Sequence, residues 1–249
     1  MMNLTGRLVE TKMLTSIQKN RMLELMTGYY GDISPERFEQ ELNERDSALV
    51  LFDAANQIQG FTTIKFYHLD VLKIPVRLVF SDEAIIPGGF RSNLELFRAW
   101  IRAVYSRVLD GDELLRQRKI EVQNYFKSYW VLLAEGYQKY RLLPLYFKRF
   151  YPNYQERTPE FEQTVINHFC GYKYPGRYNP TTGVIKSEGK GGLRQDATVI
   201  TRKHMNNSHL NYFLTQNPGF TMGDKLVCIT ELSLNNMKPK LWRYLGEIN

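Results

Sequence analysis

Apolar positions recur at helical spacing over residues 16–30, SIQKNRMLELMTGYY, where Ile17, Met22, Leu25 and Met26 share a face and Gly28 and Gly31 are placed to end the helix. Ser34-Pro35 opens a second, polar-rich helix to about Arg45, with Ser34 as cap and Pro35 at the first helical position. Two β-type runs follow, Ala48–Phe52 and Ile58–Tyr67, joined by the polar turn DAANQ, and 76–86, VRLVFSDEAII, predicts a third strand. Pro87-Gly88-Gly89 breaks that strand. Ser92-Asn93 then caps a helix to about Arg107 whose stripe is Leu94, Phe97, Ile101, Val104 and Val108. Beyond it, 111–127 is polar and helical at first, and Tyr129–Ala134 has the composition of a buried strand. Glu135-Gly136 turns into a helix over Tyr137–Phe150, kinked by Pro144, and Tyr151-Pro152-Asn153 ends it.

After residue 153 the chain shifts toward Asn, Gly, Thr and Tyr. Thr158-Pro159-Glu160 starts a helix to about Cys170, 172–192 is loop-rich, and Lys225–Leu232 is the best late strand. Hairpin-connected strands followed by strand–helix crossovers define an α/β (α+β) class with a mixed sheet. Residues 1–153 are expected to form the core, and 154–249 an extension packed on it.

Composition narrows the class without naming a function. With 249 residues, 43% hydrophobic and 24% charged, the chain is an ordinary globular one. It has no run long and apolar enough for a membrane span, and no apolar core near its start for a secretory signal. Cys170 and Cys228 are too few for a disulfide framework, so a cytoplasmic location is expected. His68, His168, His204 and His209 fall in no metal-ligand spacing, and no metal is expected. The net charge of +7 is uneven: −3 over 1–90, +6 over 91–150 and +4 over 151–249. A basic middle third favours anionic partners. The basic and aromatic run KYRLLPLYFKRFYPNYQER could stack on RNA, but fits better a helix with one apolar face, so no nucleic acid is expected. The turn 87–93, PGGFRSN, suits an anion: its glycines let backbone N–H groups approach closely, the following helix offers its N-terminus, and Arg91 adds a fork of donors.

Three segments carry a family resemblance. The hairpin ALVLFDAANQIQGFTTIKFY, the strand–turn–helix FSDEAIIPGGFRSNLEL and the late helix EGYQKYRLLPLYFKRFY together resemble the GNAT superfamily of acyl-coenzyme-A-dependent N-acyltransferases over about residues 15–151. The donor loop departs from that family's Arg/Gln-x-x-Gly-x-Gly/Ala: Arg91 is kept, both small residues after it are lost, and the glycines stand ahead of it at Gly88 and Gly89.

The resemblance implies direct acyl transfer from a thioester to an amine, with acyl-CoA or acyl-pantetheine as co-substrate and no permanently bound cofactor. Such a reaction needs an amine that loses its proton, a stabilised carbonyl oxygen and a proton for the departing thiolate. Asp82 or Glu83 is the candidate base, and Tyr146 falls where the family places the thiolate's proton donor. The donor would lie along Ala84, Ile85, Ile86, Gly88, Gly89, Phe90, Arg91, Ser92 and Asn93. The degenerate loop and basic middle third extend the expected donors to an acidic acyl carrier protein or a long-chain acyl-CoA, and the acceptor to a peptide or amino-acid amine. The alternatives are a GNAT-like binding module without activity and a basic RNA-binding protein.

Overall fold

A computed structural model describes residues 4–30, 33–81, 84–86, 90–117, 126–187 and 207–245. It begins with a strand the pattern did not disclose, β1 (Thr5–Glu10), an edge strand pairing antiparallel with 47–52. TGRLVE lacks the apolar alternation of a half-buried strand, because most of its side chains are exposed.

Helix α1 (Ser16–Tyr30) buries Met22, Leu25 and Met26 as expected. Ile17 is 82% exposed and does not share that face, and Gly28 lies inside the helix instead of ending it. In α2 (Pro35–Asn43) the Ser34 hydroxyl accepts from the Arg37 N–H at 3.2 Å, while Phe38 and Leu42 point inward.

Strands β2 (Ser47–Phe52), β3 (Ile58–Val71) and β4 (Ile74–Phe80) form an antiparallel meander. Asp53 organises the first turn by accepting from the N–H groups of Ala55 and Gln57, both at 2.9 Å. The second turn is two residues, Leu72 and Lys73, at φ 54° and 64°, the left-handed pair that matches the twist of a tight hairpin.

The strand expected over 76–86 divides. β4 stops at Phe80, and a second piece, β5 (Ala84–Ile85), pairs with β3 alone. Phe80 faces Lys65 and Ala84 faces Thr62, so four steps on one strand oppose three on the other, the one-residue excess of a bulge. Gly60, beside this junction, leaves room for it. A β-carbon there would meet the Ile85 carbonyl oxygen at 2.8 Å and Ile86 Cγ1 at 2.9 Å.

Helix α3 (Phe90–Gln117) starts two residues before the expected Ser92-Asn93 cap, so both lie inside its first turn. It also runs ten residues beyond Arg107. Its buried stripe, Phe97, Trp100, Ile101, Val104 and Val108, covers one face of the sheet. Strand β6 (Lys127–Ala134) then runs parallel to β4.

The helix expected over 137–150 is two short pieces, α4 (Tyr137–Tyr140) and α5 (Leu142–Tyr146), and Phe147 is already extended at φ −116°, ψ 148°. Pro144 accounts for the break. It has no N–H for the Tyr140 carbonyl, and its ring crowds that carbonyl, so the turn opens at Arg141.

Residues beyond 153 contribute α6 (Glu160–Lys173), β7 (Tyr178–Asn179), β8 (Val184–Ile185), α7 (Ser208–Gln216), β9 (Lys225–Glu231) and α8 (Pro239–Leu245). β9 pairs antiparallel with β6, Val131 facing Ile229, and carries the β7–β8 hairpin on its other side. The strand order is β1-β2-β3-β4-β6-β9-β8-β7, with β4–β6 the parallel junction. Helices α3, α5, α7 and α8 pack on one face, and α1, α2 and α6 on the other.

Candidate active site

The parallel pair parts at one level. β4 and β6 stay in register from Val76–Lys127 to Phe80–Val131, after which β6 continues through Leu132, Leu133 and Ala134, paired only with β9. The continuation of the other strand has moved across to β3 as β5. Among the described residues, no strand pairs with the second edge of β5, so its backbone groups face the parting. The Trp130 indole N–H donates to the Ser81 hydroxyl at 3.0 Å and ties the two strands where they separate.

Aromatic rings line the α3 side of this parting. Trp100 and Trp130 have centroids 4.4 Å apart, Phe97 lies 5.7 Å from Trp130, and Tyr146 stacks on Phe97 at 4.8 Å. Tyr146 is fully buried. The C-terminal segment fixes its backbone: the Lys238 N–H donates to the Tyr146 carbonyl at 2.9 Å, and the Lys238 ammonium to the Pro144 carbonyl at 2.7 Å. Buried Asn236 accepts from the Arg149 N–H at 2.8 Å and donates to the Arg149 carbonyl at 2.9 Å, clamping the chain after α5.

The Tyr146 hydroxyl is buried without a well-aligned hydrogen-bond partner. Its polar neighbour is Tyr244 on α8, whose ring centroid is 6.0 Å away. Burial pushes the Tyr146 phenol well above its ordinary value, and the adjacent Tyr244 phenol pushes in the same direction. Tyr244 goes the other way. Partial burial raises it, but the Arg98 guanidinium, which donates to its oxygen at 3.2 Å, and the Tyr146 phenol together bring it below the usual tyrosine range. Arg98 also stacks over the Tyr244 ring at 4.5 Å, and Arg102 Nε donates to the Tyr244 carbonyl at 2.8 Å, so α8 is anchored to α3 over Tyr146.

The other expected site residues divide in two. Asp82, Glu83, Gly88 and Gly89 lie outside the described residues, and Phe90, Arg91, Ser92 and Asn93 are described only as backbone of the first turn of α3. Ala84 and Ile85 form β5. The side chains of Ile85 and Ile86 are buried in the core, so what this segment can offer a ligand is backbone. Ser81, Phe97, Trp100, Trp130, Arg98 and Tyr244 were not singled out from the sequence for a site. Phe97 and Trp130 were visible only as members of apolar runs, and Tyr244 had no local pattern to mark it.

The basic aromatic run 139–157 keeps its rings inside: Tyr140, Tyr146, Phe147, Phe150 and Tyr151 are buried and Tyr154 is exposed. That arrangement leaves no row of rings for bases to stack on. Both cysteines are buried, and burial pushes the Cys170 thiol up to about 12 and the Cys228 thiol further. Neither offers a thiolate for nucleophilic chemistry near neutral pH. Among the described residues, no group of three or more His, Cys, Asp or Glu is placed to hold a metal ion, and no helix is long and apolar enough to cross a membrane. A separate polar cavity of about 570 Å³ opens among α6, α7 and the β7–β8 hairpin, with Glu156, Arg157, Gln163, Tyr178, Tyr212 and Gln216 in its wall.

No family model and no curated protein sequence matches the chain. Among solved structures, it is similar to a conserved protein of Enterococcus faecalis described as a probable N-acyltransferase, at 14% identity and TM-score 0.39 over 59% of this chain and 33% of that one. It is also similar to a GNAT family N-acetyltransferase of Escherichia coli in complex with CoA, at 15% identity and TM-score 0.35 over 57% and 68% of the two chains. A third is an aminoglycoside acetyltransferase from an uncultured soil metagenomic sample in complex with sisomicin, at 13% identity and TM-score 0.32 over 56% and 82%. The chain thus spans about a third of the length of the first of these. The chain itself has a mixed, mostly antiparallel open sheet flanked by helices, with one parallel junction that parts beside a buried tyrosine.

Proposed function

We propose that the protein is an N-acyltransferase that moves an acyl group from a CoA thioester to an amine in one direct step. The observation that carries this reading is the parting of β4 and β6 after Phe80–Val131, with an edge of β5 that no described strand pairs on one side and Tyr146 beside it. An extended amide-bearing arm such as pantetheine can hydrogen-bond to a strand edge as a further strand would. In the reaction, the amine nitrogen attacks the thioester carbonyl carbon and the carbon–sulfur bond breaks. The thiolate takes the Tyr146 proton, and the ammonium gives its proton to a carboxylate of the Asp82-Glu83 pair. Burial holds the proton on the Tyr146 phenol and makes it a weaker acid than a free tyrosine, so the transfer depends on the thiolate forming directly beside it.

Arg98 and Arg102 of the basic stretch are turned to Tyr244, while Arg107, Lys148 and Arg149 are exposed, so both CoA and a carrier protein are tested as donors. Acyl length is an experimental variable: long chains would have to displace the rings around Phe97. One observation favours a second reading, a binding module without turnover: Tyr146 is fully covered by Phe97 and α8.

The test is incubation with acetyl-CoA, palmitoyl-CoA or acetylated carrier protein and a panel of amines, followed by product mass, in parallel with thermal shifts. Turnover that falls about 10²–10⁴-fold in Tyr146→Phe supports the enzyme reading. Stabilisation by CoA without product supports the module. No shift and no product with any donor overturns both.

A further inference from the structure

We infer that Arg45 is the anchor for an oxyanion, a carboxylate or phosphate, carried by the amine acceptor, which therefore enters from the sheet face opposite Tyr146. This rests on the acyl-transfer reading for the word acceptor, and on the geometry of Arg45 for the anion.

Arg45 follows α2 and is 7% exposed. Its Nε and Nη1 are buried and have no hydrogen-bond partner, and no ion pair to it occurs among the described residues. Its guanidinium stacks on the Phe80 ring at 5.1 Å, which orders the group without using its in-plane donors. Among the described residues, the neighbouring charges do not neutralise it. Asp46 is taken by Lys65 at 2.8 Å and by the Phe66 N–H at 2.7 Å, and Glu44 is taken by Lys173 at 3.2 Å. Lys173 Nζ also lies over Phe80, 5.8 Å from the ring centroid. Among the described residues, the cluster of Arg45, Lys65, Lys173, Glu44 and Asp46 is thus left with one uncompensated positive charge, carried by its most buried member, Arg45.

A buried, unpaired guanidinium is costly, and an oxyanion would supply the acceptors it lacks; Nε and Nη1 lie on different edges of the group, so each would take its own oxygen. Its position gives the anion a purpose. Phe80 is the last residue of β4, at the level where β4 and β6 part, and its side chain lies on the α6 face. Trp130 and Tyr146 lie on the α3 face. A donor along the α3 side and an acceptor held at Arg45 would therefore approach the parting from opposite faces. With the guanidinium 5.1 Å from the Phe80 ring, an acceptor held at Arg45 lies beside the end of β4.

The experiment has two arms. In the first, thermal shifts of wild type, Arg45→Met and Arg45→Lys are recorded with inorganic phosphate, acetate or chloride at matched ionic strength. Phosphate or acetate, but not chloride, stabilises wild type; Arg45→Met loses the shift and Arg45→Lys keeps part of it. The relative size of the phosphate and acetate shifts identifies the oxyanion. Equal shifts in wild type and Arg45→Met, or no shift in wild type, overturn the proposal. Arg45→Met itself is expected to be at least as stable as wild type without added anion, since it removes an unpartnered charge. A large loss of stability that Arg45→Lys restores in chloride alone assigns Arg45 a structural role and overturns the anchor.

In the second arm, amines with and without a carboxylate or phosphate are compared as acceptors. Arg45→Met raises KM for the anionic amine by about ten- to a hundredfold and leaves an uncharged amine of the same length unchanged. If no amine is acylated, the transferase reading fails, while the first arm still decides the anion.

Discussion

The indole N–H of Trp130 reaches across the parallel junction to the hydroxyl of Ser81 at 3.0 Å, at the step where β4 and β6 cease to pair. Both residues are buried, at 3% and 7% exposure, so the bond is made away from water. It fixes where the strands part.

Removing one partner of that bond leaves the other unsatisfied in the core. Ser81→Ala strands the Trp130 N–H and is expected to lower unfolding stability by about 1–3 kcal/mol. Double replacement with Trp130→Phe removes the orphan but leaves a smaller ring against Trp100 and Phe97, so it should recover only part of the loss. Urea unfolding of the two singles and the double measures the coupling. Purely additive losses would mean the bond does not hold the junction.

Gly60 offers a second check on the same junction. Its φ is not in the left-handed region, so the constraint there is space: an added β-carbon collides with the Ile85 carbonyl and Ile86. Gly60→Ala should cost about 1–3 kcal/mol by forcing β5 away from β3. It should also weaken binding of any ligand paired to the β5 edge by more than it affects the far hairpin at Leu72-Lys73. Hydrogen exchange of the Phe61 and Ile85 amides reads the first effect and calorimetry with CoA the second. Wild-type exchange at both amides would remove the steric argument.

Much of this architecture was legible because local pattern and tertiary burial agree. The Ser34-Pro35 start, the meander from β2 to β4 and the YWVLLA strand each stand in sequence as in space. What was missed follows from long-range causes. β1 is an edge strand with little to bury, so it left no alternation. The bulge between Phe80 and Ala84 is set by pairing to β3, which no single segment records. The site around Tyr146 is assembled from α3, β6, α5 and α8, and Arg98 meets Tyr244 across 146 positions of chain. Proline chemistry was read correctly in kind, but one bend was expected where Pro144 divides the segment into two short helices.

The tyrosines set the alkaline limit of the fold. Burial pushes Tyr178 and Tyr212 up to about 12 and raises Tyr105, Tyr129 and Tyr140 further. A raised phenol holds its proton longer in the folded chain than in the unfolded one, whose tyrosines titrate near 10. The stability it contributes is therefore complete below pH 10 and is lost as pH rises from 10 through about 12. Urea midpoints should be flat from pH 8 to 9.5 and fall above 10, with the absorbance of these buried tyrosines' phenolates appearing together with unfolding. Full ionisation near pH 10 at a constant midpoint would show that these rings are not buried.

Tyr146 and Tyr244 should separate kinetically. Tyr146→Phe removes an acid that has no well-aligned hydrogen bond to lose, so it should leave stability unchanged or slightly higher while lowering kcat. Tyr244→Phe keeps the ring over Tyr146 but loses the bond from Arg98 that helps to hold α8 down. If a thioester reaches Tyr146 only when α8 lifts, a weaker anchor shifts the population toward the open form. The donor KM should then fall by up to about tenfold with the chemistry intact. A lower kcat with unchanged KM in the first variant and a lower KM with unchanged kcat in the second is the expected split in steady-state kinetics. If Tyr244→Phe instead lowers kcat as far as Tyr146→Phe does, the two phenols act as one proton-transfer unit and α8 belongs to the chemistry, not to its access.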